Sequence, residues 1–217
     1  MSISLILAGT LRSKRYVNEL FKSKIFPKKI IFYSKSKDEK FLKKIEKFNI
    51  KFKFFNIKDI NNKKIIKEIL KTSSEYFLYS GYPGEIIKSN ILEKKKIIHC
   101  HPGLLPNFRG STVMYYSLIL SKKIYCSCIQ LNKKIDEGKI LFIQKFKKPK
   151  NLHTLEKNFD NHVRAKTLIS FLKKKKKSIV KKKNASSNYY IAHPLIRQIV
   201  LNRKSLEFIK DIKLKND

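Results

Sequence analysis

Apolar residues in the first hundred positions come in short blocks of two alternating kinds. The runs SLILAG (4–9), KKIIFYS (28–34), IKFKFFNI (50–57), YFLYSG (76–81) and KKIIHC (95–100) have the length and the β-branched or aromatic content of buried strands. Between them the pattern changes period. SKDEKFLKKIEKFN (36–49) places Phe41, Leu42, Ile45 and Phe48 on one helical face, and Ser36 with Glu39 has the spacing of a capping box. NNKKIIKEIL (61–70) repeats the stripe through Ile65, Ile66, Ile69 and Leu70. Strand and helix in this rhythm predict βαβ units and an open, mainly parallel, twisted α/β sheet with helices on both faces.

Further along, TVMYYSLIL (112–120) reads as helix. KIYCSCIQL (123–131) alternates with period two, and KILFIQKF (139–146) is another strand. The NKKIDEG segment between them is short enough to join an antiparallel pair. Leu155, Phe159, Val163, Leu168 and Leu172 recur at helical spacing. A lysine run with a polar end (173–188) reads as a solvated helix end and loop. YYIAHPLIRQIV and the final residues beyond it read as a short helical C-terminal appendage. The expected division is a catalytic unit over 1–172 and a basic linker with extension over 173–217.

Composition sharpens this picture in two respects. The 217-residue chain carries 51 Lys+Arg against 16 Asp+Glu, a formal +35, which favours anionic partners. The lysines are spread along the chain rather than gathered in a stripe, as a bias of the encoding genome would also leave them. Cys100, Cys126 and Cys128 cannot all pair and suggest no disulfide framework, so a reducing cytoplasmic setting is expected. The apolar start MSISLILAGT lacks a basic leader and a cleavage pattern, and no run approaches a membrane span.

The candidate chemistry sits at strand ends, where open parallel sheets bind ligands. SGYPGEII offers Gly81, Tyr82 and Gly84 in a loop whose backbone can approach a flat heterocycle. IIHCHPGLLPNFRGS (97–111) places His99 and His101 two positions apart on one strand, hence on one face, ahead of a stiff Pro-Gly turn. A metal site recruiting these histidines with Cys100 and the Cys126/Cys128 pair fits no common spacing, so no metal is expected. Asp136 lies between two strands, where an Asp close to an imidazole would fix its tautomer and relay a proton.

Taken together, HCHPGLLPNFRGS, IDEGKIL and SGYPGEII resemble the formyltransferase family, which uses 10-formyltetrahydrofolate to formylate amines. Its hallmark is Asn-x-His, a Leu-Leu-Pro turn and, further on, an Asp-x-Gly; the resemblance runs from about residue 1 to 170. It implies His101 and Asp136 as the catalytic pair, with His101 donating to the formyl oxyanion and Asp136 accepting the amine proton. His99 stands where the family has Asn. An imidazole N–H can also donate, whereas a charged ring beside His101 would be unfavourable. The resemblance further implies Gly81, Tyr82, Gly84, Glu137 and Gly138 for the folate. Arg109, Gly110 and Ser111 are implied for an anionic acceptor, although Arg109 can equally be a surface ion pair.

The acceptor comes from the same resemblance by elimination. Family members acting on methionyl-tRNA carry a C-terminal barrel, for which little chain remains after Leu172. Purine-pathway members have a Gly-Ser-Asn-rich phosphate loop where this sequence reads AGTLRSKRY. The expected substrate is therefore an amine on a nucleotide-linked sugar. The alternatives are methionyl-tRNA and an inactive relative binding an anionic ligand or RNA. A small anionic amine, no membrane and a homodimer are the expected partners, with nucleic acid less favoured.

Overall fold

The computed structural model describes residues 2–174 and 188–202. Its elements run β1 (Ile3–Ala8), α1 (Leu11–Lys22), β2 (Lys29–Tyr33), α2 (Glu39–Glu46), β3 (Lys51–Phe55), α3 (Lys63–Lys71), β4 (Tyr76–Ser80), α4 (Ser89–Lys94) and β5 (Ile97–His101). They continue through β6 (Arg109–Ser111), α5 (Met114–Ser121), β7 (Ile124–Gln130), β8 (Lys139–Phe146), α6 (Asp160–Lys173), β9 (Tyr189–Ile191) and α7 (Pro194–Leu201). Seven strands form one sheet in the order β3-β2-β1-β4-β5-β7-β8. The first five are parallel, and β7 and β8 close the sheet as an antiparallel pair. The expected mainly parallel α/β architecture is thus the observed one.

Strand alternation builds two cores. Leu5 and Leu7 of β1 join Tyr16 and Leu20 of α1, Phe41 and Ile45 of α2, and Val163 and Leu168 of α6 on one side. Ile6 and Ala8 face the other way, onto Ile65 and Ile69 of α3 and Ile91 of α4. Strands buried on both faces read as continuous apolar runs, which is why β1, β2, β4 and β5 stood out; β3, at the sheet edge, is only partly buried.

Several local details differ from expectation. The cap of α2 is Asp38, whose side chain accepts from the Phe41 N–H at 3.0 Å; Ser36 does not cap it. A carboxylate at the N-terminus also complements the helix dipole, which Ser36 would not. The short α4 carries too few turns to show a period and was not anticipated. The 155–172 stripe splits into a π-helical turn, Leu155–Phe159, followed by α6. Residues 188–202 dock on the body of the fold: β9 pairs in parallel with β6 in a second small sheet. Most of the lysine run, 175–187, and the final stretch, 203–217, lie outside the described residues.

The order of strands reverses between β1 and β4, the point from which the chain winds in opposite directions. Arg12, in the first turn of α1, bridges this crevice by donating to the Ser80 hydroxyl and the Gly81 carbonyl. The β7–β8 hairpin is equally tight: a Cβ on Gly138 would stand 2.0 Å from the Gln130 carbonyl oxygen. Gly138→Ala is therefore expected to destabilise the chain by about 2–3 kcal/mol. Thermal denaturation reads this directly, and an unchanged midpoint contradicts the packing.

Candidate active site

The loop after β5 is pinned from β7. Ser127 donates to the Gly103 carbonyl at 2.6 Å and accepts from the Leu105 N–H at 3.1 Å, while Phe108 N–H bonds back to Leu104. The Leu105–Pro106 peptide is cis. This turn brings the Phe108 carbonyl to 2.9 Å from His101 Nε2. The opposite ring nitrogen, Nδ1, lies 3.3 Å from Asp136 Oδ1. A carbonyl only accepts, so the bond to Phe108 needs a hydrogen on Nε2, while Nδ1 faces the carboxylate. His101 is 2% exposed, and both of its nitrogens are engaged within the chain.

Asp136 sits in the β7–β8 turn with φ +55°, a left-handed conformation that Asp tolerates better than most residues. Its second oxygen, Oδ2, accepts from the Gly110 N–H at 3.0 Å. Burial opposes ionisation of this carboxyl, but the His101 hydrogen bond and charge, with the Gly110 N–H, hold its pKa down to about 2. Gly110 has φ +124°, and a Cβ there would strike the Tyr190 backbone at 2.0 Å. The β6–β9 pair therefore closes directly over this contact. Tyr189 borders it: burial, then the Asp136 charge, raises the pKa of its phenol.

His99 lies on the His101 side of β5, while Ile98 and Cys100 point into the α1–α6 core. Its Nε2 is 3.2 Å from Arg164 Nη1, and Arg164 in turn holds both Asp160 oxygens and the Cys100 carbonyl. His99 Nδ1 is buried and has no hydrogen-bond partner among the described residues. The Tyr79 ring lies 6.1 Å away, centroid to centroid. Burial, followed by the charges of Arg164 and Arg12, pushes the His99 pKa well below its ordinary value, so the ring is neutral.

The structure thus brings His99, His101, Asp136 and Gly110 into one cluster. Arg109 lies at its rim as an ion pair with Glu137 at 2.7 Å, its Nη2 also donating to the Ile135 carbonyl. Ser111 pairs with Ile191 and is exposed. Gly81 reaches the cluster through Arg12, whose charge acts on His99. Tyr82 turns to the β2 side, against Tyr33, Ser34 and Lys58, and Gly84 is exposed beside it. Cys100, Cys126 and Cys128 are fully buried in the opposite core. Among the described residues, no three His, Cys, Asp or Glu side chains converge as metal ligands. Arg12, Arg164 and Asp160 escaped the sequence reading; the i,i+4 spacing of Asp160 and Arg164 was the one signal available.

Comparison with known proteins places the fold in a family. The model of the formyl transferase family matches residues 2–172. A methionyl-tRNA formyltransferase from Finegoldia magna is 30% identical over 93 residues, which are 42% of this chain and 30% of that protein. Its counterpart from Orientia tsutsugamushi is 38% identical over 72 residues, 32% of this chain and 24% of that protein. The chain therefore matches less than a third of the length of these relatives. A sugar N-formyltransferase from Shewanella sp FDAARGOS_354 superposes over 93% of this chain and 87% of its own, at 18% identity and a TM-score of 0.57. A phosphoribosylglycinamide formyltransferase from Streptococcus pneumoniae TIGR4 covers 79% of this chain and 97% of its own, at 13% identity and a TM-score of 0.59. At such identities these two structures speak for the fold. The family match takes in β1, the histidine-bearing β5 and the Asp136 turn alike, and with it the chain belongs to the formyl transferase family.

Proposed function

We propose that this chain transfers a formyl group from 10-formyltetrahydrofolate to a primary amine, with His99, His101 and Asp136 as the reacting cluster. The observation that carries the reading is their convergence on one strand end: a buried ion pair beside a buried nitrogen with no partner among the described residues. An orphaned donor in such a place suits a formyl oxygen, which only accepts.

In this reaction the amine nitrogen attacks the formyl carbon, a C–N bond forms, and the carbonyl electrons move onto oxygen. His99 Nδ1 stabilises that oxyanion, with the His101 charge close by. The amine proton passes to the Asp136 carboxylate, directly or through one water. Collapse restores the carbonyl and breaks the bond to N10, which takes the proton on from Asp136, directly or through water, so that tetrahydrofolate departs and the carboxylate is regenerated. Because both His101 nitrogens are engaged, its part is to charge and orient Asp136 rather than to offer the free N–H. Gly81, Tyr82 and Gly84, with Glu137 and Gly138, remain the residues assigned to the folate.

The acceptor is read as an amine on a nucleotide-linked sugar. The likeness to the Shewanella sugar N-formyltransferase extends over most of both chains; Arg109, paired with Glu137 at the rim of the cluster, would exchange that partner to meet an anion. A second acceptor, methionyl-tRNA, is favoured by the 30% and 38% identities to the methionyl-tRNA enzymes and by the formal charge of +35. Three buried free thiols suit a reducing compartment. Among the described residues no helix is long and apolar enough to cross a membrane.

Incubation with 10-formyltetrahydrofolate and, in parallel, nucleotide-linked amino sugars or methionyl-tRNA decides between the acceptors. The productive one gains the mass of a formyl group as tetrahydrofolate appears. Absence of turnover on either, with salt-sensitive RNA binding, would support a binding protein instead. His101→Ala and Asp136→Ala are each expected to lower turnover by about a hundredfold or more while preserving the circular dichroism spectrum. Full activity in either variant refutes the roles.

Asp136→Asn, which tolerates the same backbone, reports on the ion pair separately. The folded-state pKa is lowered from the ordinary 3.8 to about 2, so the carboxylate stabilises the fold above pH 3.8 and ceases to as pH falls through about 2. Wild type should therefore exceed the variant by about 2 kcal/mol near neutrality. The gap should close across that window in urea titrations at successive pH values, and a gap independent of pH contradicts the linkage.

A further inference from the structure

Arg164 makes four contacts at once. Its Nε donates to the two Asp160 oxygens at 2.8 and 3.0 Å, and its Nη1 donates to the Cys100 carbonyl at 2.6 Å and to His99 Nε2 at 3.2 Å. A guanidinium has donors only, so the His99 nitrogen facing it must offer a lone pair. A neutral imidazole with a bare Nε2 carries its hydrogen on Nδ1, and Nδ1 is the buried atom with no partner among the described residues. We propose that Arg164 is a positioning residue: by occupying Nε2 it holds His99 as the neutral Nδ1–H tautomer, leaving a free donor beside the His101–Asp136 pair. The formyl-transfer reading enters only in what that donor meets, a formyl oxyanion; the tautomer itself stands on the contacts.

This assigns a reason to the departure from the family hallmark. An Asn amide presents its hydrogens from one atom and has no tautomer to choose. An imidazole carries its single hydrogen on either nitrogen, and the wrong choice points a lone pair at a developing negative charge. Something must hold the choice, and the helix after the π-helical turn supplies it. Asp160 and Arg164 lie one turn apart on α6, so the guanidinium reaches over the end of β5.

On balance the surroundings keep the ring neutral. Arg164 with Asp160 faces it from α6, Arg12 from α1, Tyr79 from β4, His101 from its own strand and Asp136 from the hairpin turn. Burial of the ring, then the two arginine charges, disfavours the imidazolium, against which the Asp136 charge is a lesser influence. Burial also works against the Arg164 charge, but Asp160 more than compensates and raises its pKa.

Histidine ring-nitrogen NMR on the whole chain tests the lock without any turnover. His99 in the wild type is expected to show a protonated Nδ1 and a bare Nε2, unchanged across about pH 5–8 where a free imidazole titrates. Arg164→Met is expected to mix the tautomers and to slow formyl release from 10-formyltetrahydrofolate, to amine or to water, by about a hundredfold. Arg164→Lys leaves Asp160 a counter-ion should Arg164→Met fail to fold, yet one ammonium cannot span all four contacts, so the tautomers should mix there too.

The deciding comparison is Arg164→Met combined with His99→Asn. An Asn needs no tautomer lock, so the pair should release formyl at the rate of His99→Asn alone. A double variant as slow as Arg164→Met, or a wild-type His99 protonated on Nε2, overturns the proposal. The two readings separate cleanly. A wild-type Nδ1–H tautomer lost on replacing Arg164, with no formyl release by any variant, upholds the lock and sinks the transfer reaction. Normal formyl release with an Nε2–H ring does the reverse.

Discussion

The Asp136 carboxylate accepts from the His101 ring on one oxygen and from the Gly110 N–H on the other, and three distant segments of chain meet there. A buried carboxylate without such partners would be strongly unfavourable, so the loop after β5, the β7–β8 turn and the β6–β9 pair must be held in register together. Ser127 fastens the loop from one side, and the close approach of Gly110 to Tyr190 fastens it from the other. The strand order serves this arrangement. Placing the antiparallel β7–β8 hairpin beside β5 carries its turn to the end of the strand that bears both histidines.

Around that contact the charges are arranged rather than merely abundant. Two histidines, one aspartate and two arginines lie within reach of one another, with Asp160 balancing one arginine. The result is a cation-rich cluster in which one imidazole faces a carboxylate and the other is kept neutral by burial and by the guanidinium groups beside it. Such an asymmetry separates proton uptake from hydrogen-bond donation, the two tasks that acyl transfer to an amine requires. The many surface lysines are a different matter, since solvent and salt screen them from this site.

The other half of the crevice is stiffened by a second carboxylate. Glu85 accepts from the hydroxyls of Tyr33 and Tyr79 and from the Tyr82 and Ile60 N–H groups, at 2.5 to 3.0 Å. Four donors on one side chain lock the loop after β4 to the ends of β2 and β4. Arg12 then ties that loop to α1. The loop assigned to the folate is therefore a built element of the switch point, well suited to presenting backbone groups to a ligand.

Local pattern made much of this legible. Continuous apolar runs marked β1, β2, β4 and β5, period two marked β7, and His99 and His101 stood two apart on one strand; Asp136, far along the chain, was joined to them only through the resemblance to the formyltransferase family. The local signals depend only on near neighbours in the chain, which is why they survive in a bare sequence. Where several local signals competed, they misled: Ser36 and Asp38 both offered a cap, and only packing chose Asp38. The pairing of β9 with β6 and the bond from Arg164 to His99 join segments far apart in sequence, with no period to announce them. The sequence by itself determined the alternating sheet and the residue types at its strand ends, because periodicity and side-chain chemistry are properties of the chain. Only the tertiary structure decided that both His101 nitrogens are engaged and that one His99 nitrogen has no partner among the described residues, because that depends on partners brought in from other helices and turns.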